Sequence, residues 1–275
     1  MQSDIEESLP QIKNLNPFNV KCTDDLLYFS PWNHDKNDYP TSPGVYKFLS
    51  KAEKKRSIPY KNFSYSINRI GFRGKFPSNK DCIGFFGCSF TFGEGVAEED
   101  IFPNIVSNHL KKEPLNLGML GYSAQQIIQL FHAANRVYNM SHAVITLPGP
   151  ERFHYITSQN YHWPIYPNQD RKDREHETVR KALYKYFSDE HLWHTIKDIV
   201  VTGELVAKLY GIEVVWGAWH GQTCKIIESV TNQPSLLFEF YPGKDKDIAR
   251  DNMHPGIEQH LNYANQVIER INILQ

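Results

Sequence analysis

The chain has 275 residues, of which 40% are hydrophobic, 13% aromatic and 22% charged. That balance excludes a disordered, collagenous or low-complexity protein and leaves material for one or two domains with a sizeable core. Thirty Lys and Arg stand against 31 Asp and Glu, a net charge of −1, so there is no global basic field for nucleic acid or an anionic membrane. No apolar run approaches the roughly 18 residues that a membrane span needs. With its polar, acidic start (MQSDIEESLPQIK), the chain is expected to be cytoplasmic, without signal peptide or transmembrane segment. Cys22, Cys82, Cys88 and Cys224 form no CxxC pair and read as reduced thiols.

Residues 1–80 are rich in Asn, Lys, Pro, Tyr and Ser, with turn signals at Ser30-Pro31, Tyr39-Pro40 and Ser42-Pro43-Gly44. They read as an irregular N-terminal extension with a few short strands packed on the body, and the charged stretch Lys51 to Arg56 as a solvated face. From 81 to 275 the pattern is that of one α/β domain. Cys82 to Gly87 is a short apolar run ending in turn residues, a buried strand. Asp100 to His109 follows as a helix with Asp100 as a plausible cap. Leu115 to Gly118 is a second strand, Ser123 to Tyr138 a helix with Ser123 near its N-cap, and Ala143 to Leu147 a third strand. An insertion at about 150–200 contains an aromatic, charged stretch from Pro148 to Asn168. Helices are expected near Arg174 to Phe187 and Glu190 to Tyr210. Ile212 to Trp219 is a fourth strand, and Ile257 to Ile273 a C-terminal amphipathic helix. Strands alternating with helices predict a three-layer α/β/α fold around a central parallel sheet.

Two motifs carry chemistry. Gly87-Cys88-Ser89 follows the first strand, where open parallel sheets collect reactive residues. A serine at a strand-to-helix turn can expose both its hydroxyl and its own N–H, although a Gly/Ser turn that merely caps a helix looks the same. Asp251-Asn252-Met253-His254-Pro255-Gly256 precedes the last helix. A serine hydroxyl needs a base, and the base needs an orienting acceptor; Asp and His three apart in a turn meet the second need.

Together these blocks resemble those of the SGNH (GDSL-like) hydrolases. Gly87-Cys88-Ser89 is similar to the family's G-D-S, with Cys in place of Asp, and Asp251 and His254 match its D-x-x-H. Asn116-Leu117-Gly118-Met119-Leu120-Gly121 resembles its second block. The resemblance implies a flavodoxin-like fold, with Ser89 as nucleophile, His254 as base and Asp251 as its orienter. The oxyanion would be held by the backbone N–H groups of Ser89 and Gly121. Asn68-Arg69-Ile70-Gly71-Phe72-Arg73-Gly74 is similar to a stretch preceding the Ser block in many bacterial and phage members, for which a structural role is expected. The third family block, G-x-N-D, is not kept: Gly149-Pro150-Glu151-Arg152 stands there, with Glu151 in the Asn slot. A carboxylate aimed at an oxyanion would oppose catalysis. Either Glu151 turns away, for example by pairing with a cation, or the activity differs, and Arg152 can supply the missing donor.

Other features weigh less. Cys88 is expected to face away from Ser89 as a small buried residue. His191 and His194, three apart on a helix, lack an evident third metal ligand. Gly84, Gly87, Gly93 and Gly95 are not spaced for a nucleotide. The stretch Tyr155 to Tyr166 either lines a sugar cleft or packs as a lid. The resulting expectation is a serine esterase that needs no metal or organic cofactor and acts on a small-molecule or glycan ester. Its rivals are a non-catalytic glycan-binding or structural protein and a sugar O-acyltransferase.

Overall fold

The computed structural model describes residues 43–49, 62–78, 81–156, 162–165, 174–240, 247–251 and 253–274. Most of the expected extension, including Lys51 to Arg56 and Cys22, lies outside them, as do residues 157–161 and 166 of the aromatic stretch. What is described of residues 1–80 contains strands β1 (Gly44–Tyr46) and β2 (Tyr65–Ile67), paired antiparallel.

The α/β region begins with β3 (Asp81–Gly87), the short helix α1 (Ser89–Phe92), a 3-10 turn (Glu98–Asp100) and α2 (Phe102–Leu110). Then come β4 (Glu113–Gly118), α3 (Ala124–Asn135) and β5 (Asn139–Leu147). An antiparallel hairpin, β6 (Phe153–Ile156) and β7 (His162–Ile165), precedes α4 (Arg174–Tyr186) and α5 (Asp189–Tyr210). β8 (Glu213–Ala218), α6 (Gly221–Thr231), β9 (Leu236–Leu237) and α7 (Ile257–Leu274) complete the order. β3, β4, β5, β8 and β9 form one sheet in the order β4-β3-β5-β8-β9, every pair parallel. This is the doubly wound, flavodoxin-like order, whose direction reverses beside β3.

Side-chain parity assigns the two faces, because successive strand residues point to opposite sides. Ile83, Phe85, Val144 and Val215 join α2 and α7 in one cluster, through Phe102, Val106, Tyr263 and Val267. Cys82, Phe86, Ile145 and Trp216 join α3, α5 and α6 in the other, through Ile127, Phe131, Val200 and Ile227. The three-layer α/β/α expectation is therefore what the chain adopts. Cys82, Cys88 and Cys224 are buried free thiols.

Ser123 caps α3 in a capping box with Gln126. The expected Asp100 cap is not made. Asp100 lies in the 3-10 turn, and α2 starts after an extended Ile101, with Pro103 setting the first turn. Its Phe102 N–H is instead accepted by Nδ1 of His260, a fully buried residue of α7, at 3.2 Å. Burial pushes the His260 imidazole down to about 3, which keeps it neutral and able to accept.

The Asn68 to Gly74 stretch has a structural role. Asn68 Oδ1 accepts the N–H groups of Ile70, Gly71 and Phe72 at 3.0–3.2 Å, closing a tight turn. That turn aims Arg73, which is 2% exposed. Its guanidinium donates to the carbonyls of Phe92 (3.1 Å), Gly93 (2.5 Å) and Val96 (2.6 Å) and lies over the Tyr65 and Phe92 rings. Replacing Arg73 by Ala removes the guanidinium from three buried carbonyls at once. Arg73→Ala is therefore expected to lower unfolding free energy by about 3 kcal/mol or more, and Arg69→Ala, at an exposed position, by less than about 0.5 kcal/mol, both read by urea denaturation.

Candidate active site

Ser89 stands just past the carboxyl end of β3, the strand flanked by β4 and β5 at the switch point. Cys88 is the N-cap of α1, with its side chain buried in the core. As the first residue of the helix, Ser89 has an N–H that the helix itself does not use. The helix stops at Gly93 (φ 78), and the N–H groups of Gly93 and Glu94 both return to the Ser89 carbonyl, at 2.9 and 3.1 Å.

The turn before α7 comes up against this helix. Ser89 Oγ lies 2.8 Å from His254 Nε2, and His254 Nδ1 is hydrogen-bonded to Asp251 Oδ2. Asp251 Oδ1 also accepts the N–H groups of Met253 (3.0 Å) and His254 (3.2 Å). The three side chains thus form one hydrogen-bonded chain, and the Asp251 contact assigns the proton to Nδ1, leaving the Nε2 lone pair toward Ser89. The ring of Phe90 meets the imidazole edge-on at 5.7 Å.

Asn116 ties β4 to α1, donating to Thr91 O at 3.2 Å, while Met119 N–H reaches Gly87 O at 3.0 Å. Gly121 sits in the turn that follows, with φ 79. Tyr184 of α4 donates to the Glu151 carbonyl at 2.6 Å, and the Glu151 carboxylate lies against Gly149. The Arg152 guanidinium lies over the Trp219 ring at 5.4 Å, and Trp219 packs on Phe90. Its charge is felt at His254.

Glu94 was not singled out from sequence. Its Oε2 lies 3.6 Å from His254 Nε2. The available signal was a charged residue between two glycines, Gly93-Glu94-Gly95, shortly after the candidate serine.

Burial works against the His254 imidazolium, but the Glu94 charge, the Asp251 hydrogen bond and the Asp251 charge outweigh it. The net shift is upward, with Arg152 pulling the other way. Burial likewise opposes the Asp251 carboxylate, yet the bonds and charge of His254 and the two backbone N–H groups hold its acidity below the usual range. The imidazolium thus contributes stability that is full below pH 6.5 and is lost as pH rises through the raised folded value. Asp251 contributes above pH 3.8 and loses it as pH falls through its depressed value.

Glu94, Asp251 and His254 each offer a metal-ligand atom, all within 4.8 Å of one another. A cation there would take the Nε2 lone pair, so metal binding and proton acceptance at Nε2 exclude each other. His191 stacks on Phe187 at 4.2 Å and His194 lies 3.9 Å from Glu190; neither belongs to a metal-ligand group among the described residues. Around the aromatic stretch, packing is seen at Ile165 and at the preceding Phe153. Ile165 is fully buried, Tyr184 donates to its carbonyl at 3.2 Å, and Phe153 stacks on Phe187. The hairpin meets the α3 cap through His154 Nδ1 and Ser123 Oγ, 3.3 Å apart. No described helix is long and apolar enough to cross a membrane.

No protein-family profile and no curated protein matches the sequence. Among solved structures, the chain is similar to an acetyl xylan esterase from the rumen bacterium Butyrivibrio proteoclasticus, at 12% identity over 75% of this chain and 67% of that one, TM-score 0.43. A psychrotrophic esterase from Pseudoalteromonas sp. is 12% identical over 71% of this chain and 98% of that one, TM-score 0.42. A carbohydrate esterase family 2 enzyme from Corynascus thermopiles is 15% identical over 74% and 69%, TM-score 0.44.

In an NMR titration the His254 ring is expected to titrate above 6.5. Glu94→Gln should move the midpoint down and Arg152→Ala should move it up. A wild-type midpoint below 6.5 would contradict this balance of charges.

Proposed function

We propose that the chain is a serine ester hydrolase of the SGNH type that deacylates a carbohydrate or other small-molecule ester through an acyl-enzyme. The observation that carries the proposal is the Ser89–His254–Asp251 chain at the sheet's switch point. Ser89 Oγ attacks the ester carbonyl carbon as its proton passes to His254 Nε2. Asp251 holds the ring in the needed tautomer and balances the imidazolium. The tetrahedral intermediate collapses, the bond to the alkoxy oxygen breaks, and Nε2–H protonates the departing alcohol. Water then gives its proton to Nε2 and attacks the acyl carbon. Ser89 leaves with that proton, and the acid is released. In a sugar O-acyltransferase the same steps would run with a sugar hydroxyl in place of water, and the products tell the two apart.

The carbonyl oxygen gains charge in both attacks. The N–H groups of Ser89 and Gly121 are its proposed donors, with Arg152 as the third. The Glu151 carboxylate lies against Gly149, and in the proposed reaction it must stay clear of the oxyanion, where an anion would oppose catalysis.

Fluorophosphonate should label the native protein and fail to label Ser89→Ala. His254→Ala should lower kcat/KM on an activated ester by about a hundredfold or more while thermal unfolding shows a folded protein. Unlabelled wild type overturns the reading. With kcat taken on the alkaline plateau, Arg152→Ala should reduce it about tenfold or more and Glu151→Asn should preserve or raise it. An unchanged kcat in Arg152→Ala would leave that residue outside the oxyanion site.

A further inference from the structure

The reaction above leaves Glu94 without a task, although it faces the atom that moves every proton. Its carboxylate and the imidazole have equal side-chain exposure, 14% each, so neither is sealed from solvent. The direction of Glu94 is set by its neighbours. Gly93 ends α1 in a left-handed conformation (φ 78), and Gly95 is left-handed too (φ 81). The Gly95 N–H donates to Tyr65 Oη at 2.8 Å, and its carbonyl accepts the Arg250 N–H at 2.9 Å. Arg73 binds the carbonyls of Gly93 and Val96 on either side. So many bonds on four residues point to a group that is placed.

The position beside Nε2 has a chemical consequence. To protonate the departing alcohol, Nε2 must come within about 2.6–3.2 Å of the alkoxy oxygen. With Glu94 Oε2 3.6 Å from Nε2, a hydroxyl on the next carbon of that alcohol can reach the Glu94 carboxylate. A carboxylate is an acceptor only, and hydrogen bonds to it are the charge-assisted, stronger kind. Of the described groups facing the imidazole, Asp251 lies at Nδ1, Phe90 meets the ring edge-on, and Arg152 can only donate. Ser89 supplies the attacking oxygen, which leaves Glu94 as the acceptor on the leaving-group side.

We propose that Glu94 recognises the leaving alcohol by accepting a hydrogen bond from the hydroxyl vicinal to the ester oxygen, so that the site prefers esters of polyhydroxy alcohols to those of simple alcohols. The inference rests on the ester-hydrolase reading and names its substrate class. An interaction with a charged acceptor at this point changes the preference between two esters, whereas a purely structural or pH-tuning role changes both rates together.

The test compares kcat/KM for 2-hydroxyethyl acetate and ethyl acetate. It uses wild type, Glu94→Ala and Glu94→Gln, each on its own alkaline plateau and with a chelator present. The wild-type preference for the hydroxylated ester should fall about tenfold in Glu94→Ala. In Glu94→Gln, whose amide oxygen still accepts, it should fall to an intermediate value. Should the Ala variant fail to fold, the Gln variant decides alone. A ratio within twofold of wild type in the folded variants overturns the Glu94 proposal and leaves the hydrolase reading standing. A wild type that hydrolyses neither ester and is not labelled by fluorophosphonate overturns both.

Discussion

The close approach of two loops, residues 93–96 and 249–251, is the constraint on which the site depends. A Cβ at Gly95 would meet Ala249, the Arg250 nitrogen and Asp251 Oδ1, so the loops can lie this close only because a glycine stands there. This approach brings the turn before α7 against the end of β3, where Nε2 of His254 stands 2.8 Å from Ser89 Oγ. Arg250 extends the same clasp outward. Its guanidinium donates to the carbonyls of Phe63 and Lys47 and is surrounded by the rings of Phe48, Phe63 and Tyr65. The described strands before residue 80 are therefore fastened to the residue next to Asp251, and through Tyr65 to Gly95.

Two arginines hold the loops in complementary ways. Arg73 gathers the carbonyls at the end of α1, and Arg250 gathers those of Lys47 and Phe63, just outside β1 and β2. Arginine suits both places, because its planar fork can serve several acceptors while its face rests on aromatic rings.

Electrostatics at the imidazole are a compromise between two demands. In the proposed reaction the imidazole must be neutral to accept the serine proton, and its cation must be stabilised once it has done so. Burial favours the first, the two carboxylates favour the second, and Arg152 restores part of the balance. The placement of Glu94 thus bears on pH as well: in the proposed reaction, its hold on the imidazolium displaces the active range upward.

Much of the architecture was legible in local pattern. Apolar runs such as Cys82 to Gly87 and Ala143 to Leu147 are buried on both faces, which is how strands of a covered parallel sheet must read, and Ser123 carries its cap in its own sequence. The two-residue β9 has too little length to show a period, and α6 begins at His220 without a side-chain cap, so neither was foreseen. Asp100 looked like a cap, but the bond to α2 comes from His260, more than 150 residues away.

For the site, the sequence by itself determined the chemical types: a serine after a strand, an Asp and a His three apart in a turn, and a Glu where a family Asn was expected. Asp251 and His254 could be paired from local spacing because a turn brings them together within four residues. Which residues face Nε2, which way Glu151 folds and what Arg73 holds were decided only in the tertiary structure. The Arg73 and Nε2 contacts join segments 19 to 165 residues apart, and their directions follow from packing and backbone conformation at Gly93 and Gly95, which no local periodicity records.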